Sequence, residues 1–189
     1  MYYENYRFLP WQAACSRTLE RDGRYVLTTP IGGTAIGATG LELTTGVPLD
    51  GLCPTANGAI YSWYVPMLSG LVVTLPIDLT LDLAIDSTAV SGDDLVLRYA
   101  ALPVTRGYGG TGLDSLTFQN ADEALEIGGN AALWKNRMFT LSLGTIEGGT
   151  ITSPGSALTL AVYQSAGSLL GKYRVLGLGL TYTASVPWD

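Results

Sequence analysis

The chain has 189 residues, 47% of them hydrophobic and only 14% charged, with a formal net charge of −6, where about 25% charged residues is usual. Histidine is absent, which excludes Ser-His-Asp and Cys-His catalysis and any histidine-containing zinc site. The acidic balance, without a Lys/Arg run, argues against an electrostatic grip on nucleic acid, and the apolar fraction argues against wholesale disorder.

The polar surface must come largely from hydroxyls, since there are 21 Thr and 12 Ser beside 24 Gly. The length suits one domain with an appended arm. The opening MYYENYRFLPWQAACS has a single Arg and no apolar run, so it does not read as a secretory signal. Its aromatics and nearby basic residues are the candidate partner-binding set: Tyr2, Tyr3, Tyr6, Arg7, Phe8, Trp11, Arg17 and Arg21. Large aromatics anchor interfaces because they bury much area at low entropy cost. The alternative is that they fold back onto their own domain. In LERDGRY, Glu20 and Asp22 interleave with Arg17, Arg21 and Arg24. That is either a polar turn entering YVLTT or a charged patch setting register against a partner.

Residues 30–58 are Gly/Thr/Pro-rich without a sustained period. So long a stretch is unusual inside a compact domain. The expectation is an extended N-terminal arm over 1–58, laid along a partner surface or a neighbouring subunit, and a folded domain over 59–189. Cys15 and Cys53 show no framework spacing and read as reduced, small hydrophobes. The longest uncharged run, 51–77, is interrupted by Gly51, Pro54, Gly58, Pro66, Gly70 and Pro76. It cannot be one membrane-spanning helix, and no membrane partner is expected.

From residue 59 the period is two. In the run from Leu75 to Ile85 every odd position is apolar, and the even positions hold Pro76, Asp78, Thr80, Asp82 and Ala84. That predicts a long strand with one buried and one wet face, bent or bulged along its length. Further strands are predicted at 59–65, 94–101, 115–118, 123–127, 138–144, 157–164 and 172–184, separated by SGDD, RGYGGTG, EGGT, SPGS and SAGS. In the last of them Gly177 and Gly179 mark a bend or a close approach. Only NAALWKN (130–136) has a helical pattern. The fold class is therefore all-β: an antiparallel two-sheet jelly-roll β-sandwich of about eight strands.

Few residues suggest chemistry. GYGGTG (107–112) matches G-x-G-x-x-G, but no helix follows it, and the phosphate needs a helix N-terminus. Asp78, Asp82 and Asp86, with Asp93 and Asp94, could line a strand face, hold calcium or serve a glycosidase. The preferred reading is a solvated strand face in a protein with few charges, since spacing alone fixes no acid/base pair. No catalytic, cofactor or metal residues are assigned, and no cofactor is expected. Trp63, Trp134 and Trp188 read as packing residues, with sugar stacking as the open alternative.

The order AIYSWYVP, a long alternating strand, SGDDLVLRYAAL, SLTF, SPGSALTLAVYQSAG and KYRVLGLGLTYTA resembles the jelly-roll domains of tailed-bacteriophage virion proteins. These are head cement or decoration proteins and related head-fibre and tail modules. Tyr163, Gly167, Leu176, Gly177, Leu178, Leu180, Tyr182 and Thr183 carry the likeness, over roughly 59–184. Gln164 and Thr181 depart from it, standing where the family often has Arg and Glu. The resemblance implies a homotrimer on the capsid exterior, bound to the major capsid protein through the N-terminal segment and without catalytic residues. Two other functions stay open: a receptor- or carbohydrate-binding fibre module, expected to show aromatics such as Tyr108 in loops 103–114 or 144–156, and a carboxylate glycosidase.

Overall fold

A computed structural model describes residues 1–19, 25–27, 41–42, 48–49, 51–54, 60–66, 68–104, 117–135, 137–151 and 157–186; of residues 12, 15–19, 25–27, 41–42 and 48–49 it describes the backbone alone. In chain order the strands are β1 (Tyr2–Pro10), β2 (Ala14–Leu19), β3 (Tyr25–Leu27), β4 (Leu41–Glu42), β5 (Pro48–Leu49), β6 (Ile60–Val65), β7 (Ile77–Ile85), β8 (Asp94–Val104), β9 (Gln119–Asn120), β10 (Leu125–Glu126), β11 (Met138–Ile146), β12 (Ala157–Gly167) and β13 (Tyr173–Ser185).

Two antiparallel sheets face each other. One has the order β1-β13-β7-β11. The other runs β10-β8-β12-β6-β2-β3, with β9 added on β8. β4 and β5 form a separate two-stranded ladder. The long strands divide evenly, with β1, β13, β7 and β11 in one layer and β8, β12, β6 and β2 in the other. This is the all-β jelly-roll sandwich expected from the alternation.

The core follows the period. Leu79, Leu81, Leu83 and Ile85 of β7 and Leu178, Leu180 and Tyr182 of β13 are buried. So are Tyr61, Trp63 and Val65 of β6, Leu95, Leu97 and Tyr99 of β8, and Leu158, Leu160 and Val162 of β12. Trp63 spans the layers, since its indole N–H donates to the Pro10 carbonyl at 3.2 Å. A buried indole needs such an acceptor. It is a core residue and no sugar platform.

The boundary expected at residue 58 does not separate residues 2–19 from the sandwich. β1 pairs with β13 along its whole length, from Tyr2 opposite Ser185 to Pro10 opposite Gly177. β2 pairs with β6 from Ala14 opposite Trp63 to Arg17 opposite Ile60. The chain crosses between the layers at a single 3-10 turn, Trp11–Ala13. An edge strand has backbone donors and acceptors to satisfy, and this segment satisfies those of β13 and β6 in turn.

Smaller departures have local causes. The strand expected from Leu75 begins at Ile77 and contains no bulge; the register shifts fall in β11, β12 and β13 instead. At 115–118, Thr117 and Phe118 are not in a strand, which begins at Gln119, and 115–116 lie outside the described residues. The helical pattern at 130–136 yields one 3-10 turn, Ala131–Leu133, whose Asn130 makes no side-chain cap. A segment of two turns cannot nucleate a helix unaided. Among the described residues no helix is long and apolar enough to cross a membrane.

Candidate functional site

The outer face of the β1-β13-β7-β11 sheet is a grid set by pairing register. Residues directly opposite each other share a face. One row reads Tyr6, Thr181, Asp78, Thr145; the next Phe8, Gly179, Thr80, Ser142; the next Pro10, Gly177, Asp82, Thr140. The grid is about 14 Å wide, three spacings between paired strands. It carries hydroxyls and carboxylates at its centre and far edge, and aromatic rings at the β1 edge.

Gly177 and Gly179 explain how those rings lie. A methyl group at Gly179 would sit 2.8 Å from Tyr6 Oη and 3.0 Å from Tyr6 Cε2. One at Gly177 would meet the Phe8 ring, 2.6 Å from Cε2. The two rings therefore lie down across the bare glycine backbone, covering it as aromatics do over sheet glycines. Their outward surfaces stay open: Tyr2 is 71%, Tyr6 54% and Phe8 43% exposed. The glycines thus mark close approach, by side chains of a neighbouring strand.

Polar groups border the platform in fixed positions. Asp78 accepts the Thr145 hydroxyl at 2.9 Å, and Asp82 accepts that of Thr140 at 2.6 Å. The Tyr6 hydroxyl is held above its ordinary range, by partial burial first and then by the Asp82 charge. Each carboxylate keeps further lone pairs for a ligand hydroxyl.

Of the sequence-nominated residues, the structure brings Tyr2, Tyr6 and Phe8 onto one surface. Strand alternation turns Tyr3 and Arg7 to the opposite side of β1, along with the buried Leu9. There Arg7 reaches the Pro66 carbonyl at 3.5 Å. Asn5, on that same side, donates to the Tyr182 hydroxyl at 2.9 Å. Trp11 packs half-buried against the core. Arg17 belongs to β2 in the other sheet, and Arg21, with Glu20, Asp22 and Arg24, lies outside the described residues. So do GYGGTG (107–112), Tyr108 and Trp188. Trp134 stacks on Phe139 at 5.1 Å, a packing role.

A pocket opens where β8 and β9 meet the end of β11. About 470 Å³ in volume, it is lined by Tyr99, Thr117, Gln119, Asp122, Thr145 and Glu147 among others. Tyr99 is nearly buried, and its hydroxyl shares one proton between Gln119 Oε1 at 3.1 Å and the Thr145 carbonyl at 3.3 Å. Burial, then the Asp122 charge, and also Glu147, raise its pKa; the Thr145 contact opposes them. Gly144 makes room, since at φ +136° a methyl there would lie 2.5 Å from Tyr99 Oη. Sequence reasoning missed this site. Its signals were Gly144 after an alternating strand and the EGGT turn beyond it.

The remaining acidic candidates fasten turns. Asp86 accepts the Thr88 N–H at 2.8 Å and faces buried Arg174 at 3.8 Å. Asp93 takes Lys172 Nζ at 2.8 Å and the Val90 N–H at 2.7 Å. Burial alone would raise the Asp93 carboxyl, but these bonds and the Lys172 charge outweigh it and hold it below the usual range. Asp94 accepts the Ser168 N–H and hydroxyl, each at 2.9 Å. No cluster of acidic or thiol groups suited to a metal occurs among the described residues. Cys53 is a free thiol beside Arg174 Nη1, 2.9 Å away, and burial raises its pKa against the pull of that cation.

No protein-family model and no curated sequence matches the chain. Among solved structures it is similar to the C-terminal CBM6 of LamC, a laminarinase of the marine Zobellia galactanivorans. Identity is 8% over 94% of this chain and 99% of that one, with a TM-score of 0.40. It is also similar to the CBM22-1 xylan-binding domain of Paenibacillus barcinonensis Xyn10C, at 13% identity, 91% and 94% coverage, and a TM-score of 0.38. A third similarity is to infectious bursal disease virus, Gx strain, at 12% identity, 97% and 71% coverage, and a TM-score of 0.31. At such values these neighbours assign no function to the chain.

Proposed function

We propose that this chain is a non-catalytic recognition module that binds carbohydrate through the outer face of the β1-β13-β7-β11 sheet. The observation that carries this is the pair of rings, Tyr6 and Phe8, laid across Gly179 and Gly177 beside the Asp78–Thr145 and Asp82–Thr140 pairs. A sugar ring has an apolar C–H face and a rim of hydroxyls. An exposed aromatic surface takes the first, and oriented carboxylates and hydroxyls take the second. The face carries no basic side chain among these rows, so neutral glycans fit it better than anionic ones.

The likeness of residues 59–184 to phage virion jelly rolls supports a virion setting, as a receptor-binding head-fibre or tail module. Attachment to the major capsid protein and self-association as a homotrimer belong to the same proposal. A cement role is the second reading. It is favoured by the position of β1, an edge strand among the described residues with four exposed aromatics, Tyr2, Tyr3, Tyr6 and Phe8. Deleting 1–58 would not test it, because that removes three strands of the sandwich, β1, β2 and β3. Point variants do.

The experiment is affinity electrophoresis of the full chain through neutral polysaccharides, laminarin, xylan and a galactan, with parent, Tyr6→Ala and Phe8→Ala compared. The expected result is retardation by at least one polymer, weakened about tenfold by either variant, a loss of roughly 1.4 kcal/mol. Migration of all three proteins unretarded by any polymer refutes carbohydrate binding, and equal retardation of all three refutes the sheet face as its site. Variant-sensitive sedimentation with capsids would then establish the cement role.

A further inference from the structure

We infer that the pocket between β8, β9 and the end of β11 is a second binding site, shaped for a single neutral sugar ring. It rests on the carbohydrate reading above only for the class of ligand; its residues are separate except for Thr145, which closes one row of the outer face and also lines the pocket.

The volume, about 470 Å³, falls in the ordinary range for small-molecule sites. The lining is chemically mixed. Asp122 and Glu147 supply carboxylate acceptors. Gln119 has its Oε1 engaged by the Tyr99 hydroxyl, which leaves its amide N–H groups to donate. Thr117 and Thr150 add hydroxyls that can do either, while Ala101 and Ile146 give an apolar floor. A carboxylate beside an amide matches a vicinal diol, which offers one donor and one acceptor within a single reach. Among the described residues no Lys or Arg lines the pocket, so there a sulfate, phosphate or uronic acid would bring a negative charge to two carboxylates without a counter-charge.

The walls are built before any ligand arrives. Asp122 N–H donates to the Leu143 carbonyl at 3.1 Å, and Glu123 Oε2 accepts the Ser142 N–H at 2.6 Å, pinning the 121–123 segment to β11. On the far side the turn carrying Glu147 closes through Thr150 N–H to the Glu147 carbonyl at 3.1 Å, and Gly149 N–H holds the Val73 carbonyl at 2.6 Å. Tyr99 anchors the floor through its two acceptors. A site ordered in advance loses little entropy on binding.

The test is backbone amide NMR of the full chain titrated separately with methyl glucoside, methyl galactoside, methyl mannoside, N-acetylneuraminic acid and methylguanidinium. The expected result is saturable shifts at Gln119, Asp122, Glu147 and Thr150 with at least one neutral glycoside and none with the acid. Glu147→Gln, at an exposed position, should keep the spectrum and weaken that binding about tenfold, as loss of one charge-assisted hydrogen bond does. Shifts confined to Tyr6, Phe8 and Gly179 overturn the pocket and leave the sheet-face reading standing. Shifts confined to the pocket uphold it and overturn the sheet face. Silence towards every glycoside overturns both. Pocket shifts with methylguanidinium alone overturn the sugar assignment in favour of a partner protein's cationic side chain.

Discussion

Gly177→Ala and Gly179→Ala look equivalent in sequence and should behave differently. At Gly177 the added methyl would lie 2.6 Å from the Leu9 carbonyl oxygen as well as against Phe8. Phe8 can swing outward, but Leu9 cannot. Its strand is paired residue by residue with β13, and the adjacent Pro10 carbonyl accepts the Trp63 indole. Forcing a methyl into such a contact costs about 1–3 kcal/mol, against which alanine returns roughly 0.4–1 kcal/mol of unfolded-chain entropy. The net loss is about 1.5 kcal/mol, or about 3–6 °C in melting temperature for a domain of this size. At Gly179 the methyl meets only the Thr80 hydroxyl and the end of Tyr6, both side chains able to turn. That variant should stay within about 0.5 kcal/mol of the parent, yet lift Tyr6 from the sheet and weaken glycan binding. Thermal and urea unfolding followed by circular dichroism separates the two. The double variant Phe8→Ala/Gly177→Ala should recover little, because Leu9 remains. A Gly177→Ala protein as stable as the parent, or two equal losses, would refute this account of the glycines.

Three further outcomes follow from the packing. Gly144→Ala combines a φ of +136° with a methyl 2.5 Å from Tyr99 Oη, and should cost about 2–4 kcal/mol in urea unfolding while abolishing pocket shifts in NMR. Asp93, buried and paired with Lys172, has a carboxyl held below its usual range. Its contribution is complete above the unfolded carboxylate range and is lost as pH falls through the lower folded value. Asp93→Asn should thus cost about 2 kcal/mol near neutral pH and show a shallower loss of stability in acid, read from melting temperature against pH. Arg174, 4% exposed, donates to the Gly171 and Tyr173 carbonyls and to Cys53 Sγ; Arg174→Ala should cost about 3–5 kcal/mol by the same unfolding assay, because those acceptors and Asp86 lose a buried cation.

The strands that face the core on one side were legible, since β7 and β13 bury alternate leucines and their period is unambiguous. β1 was not. In YYENYRF, ahead of Leu9, both sets of alternate residues are polar or aromatic, because an edge strand leaves both of its faces partly wet, so period two carries almost no hydrophobic contrast there. What placed the segment in the sandwich was the complementary pair of glycines some 170 residues away, and pairing between distant strands has no local signature. The aromatics were identified as a binding set, but which of them share a surface depends on strand parity, which separates Tyr2, Tyr6 and Phe8 from Tyr3 and Arg7. The pocket was illegible for a stronger reason. Its side chains come from β8, the segment around Gln119, and the far end of β11, and they converge only when the two sheets close.

The pairing of β1 with β13 also sets how the domain would bear a load. Tyr2 lies opposite Ser185, and the Met1 carbonyl accepts the Val186 N–H, so the first and last described strands run to a common end. Antiparallel ladder bonds lie across the strands. Tension applied between residues 1 and 186 would therefore peel the strands apart one bonded pair at a time, like a zipper opened from its tab, and would not shear the whole ladder at once. Tension applied between residue 1 and a partner seated on Phe8 would be borne by the short stretch between them, leaving that zipper closed.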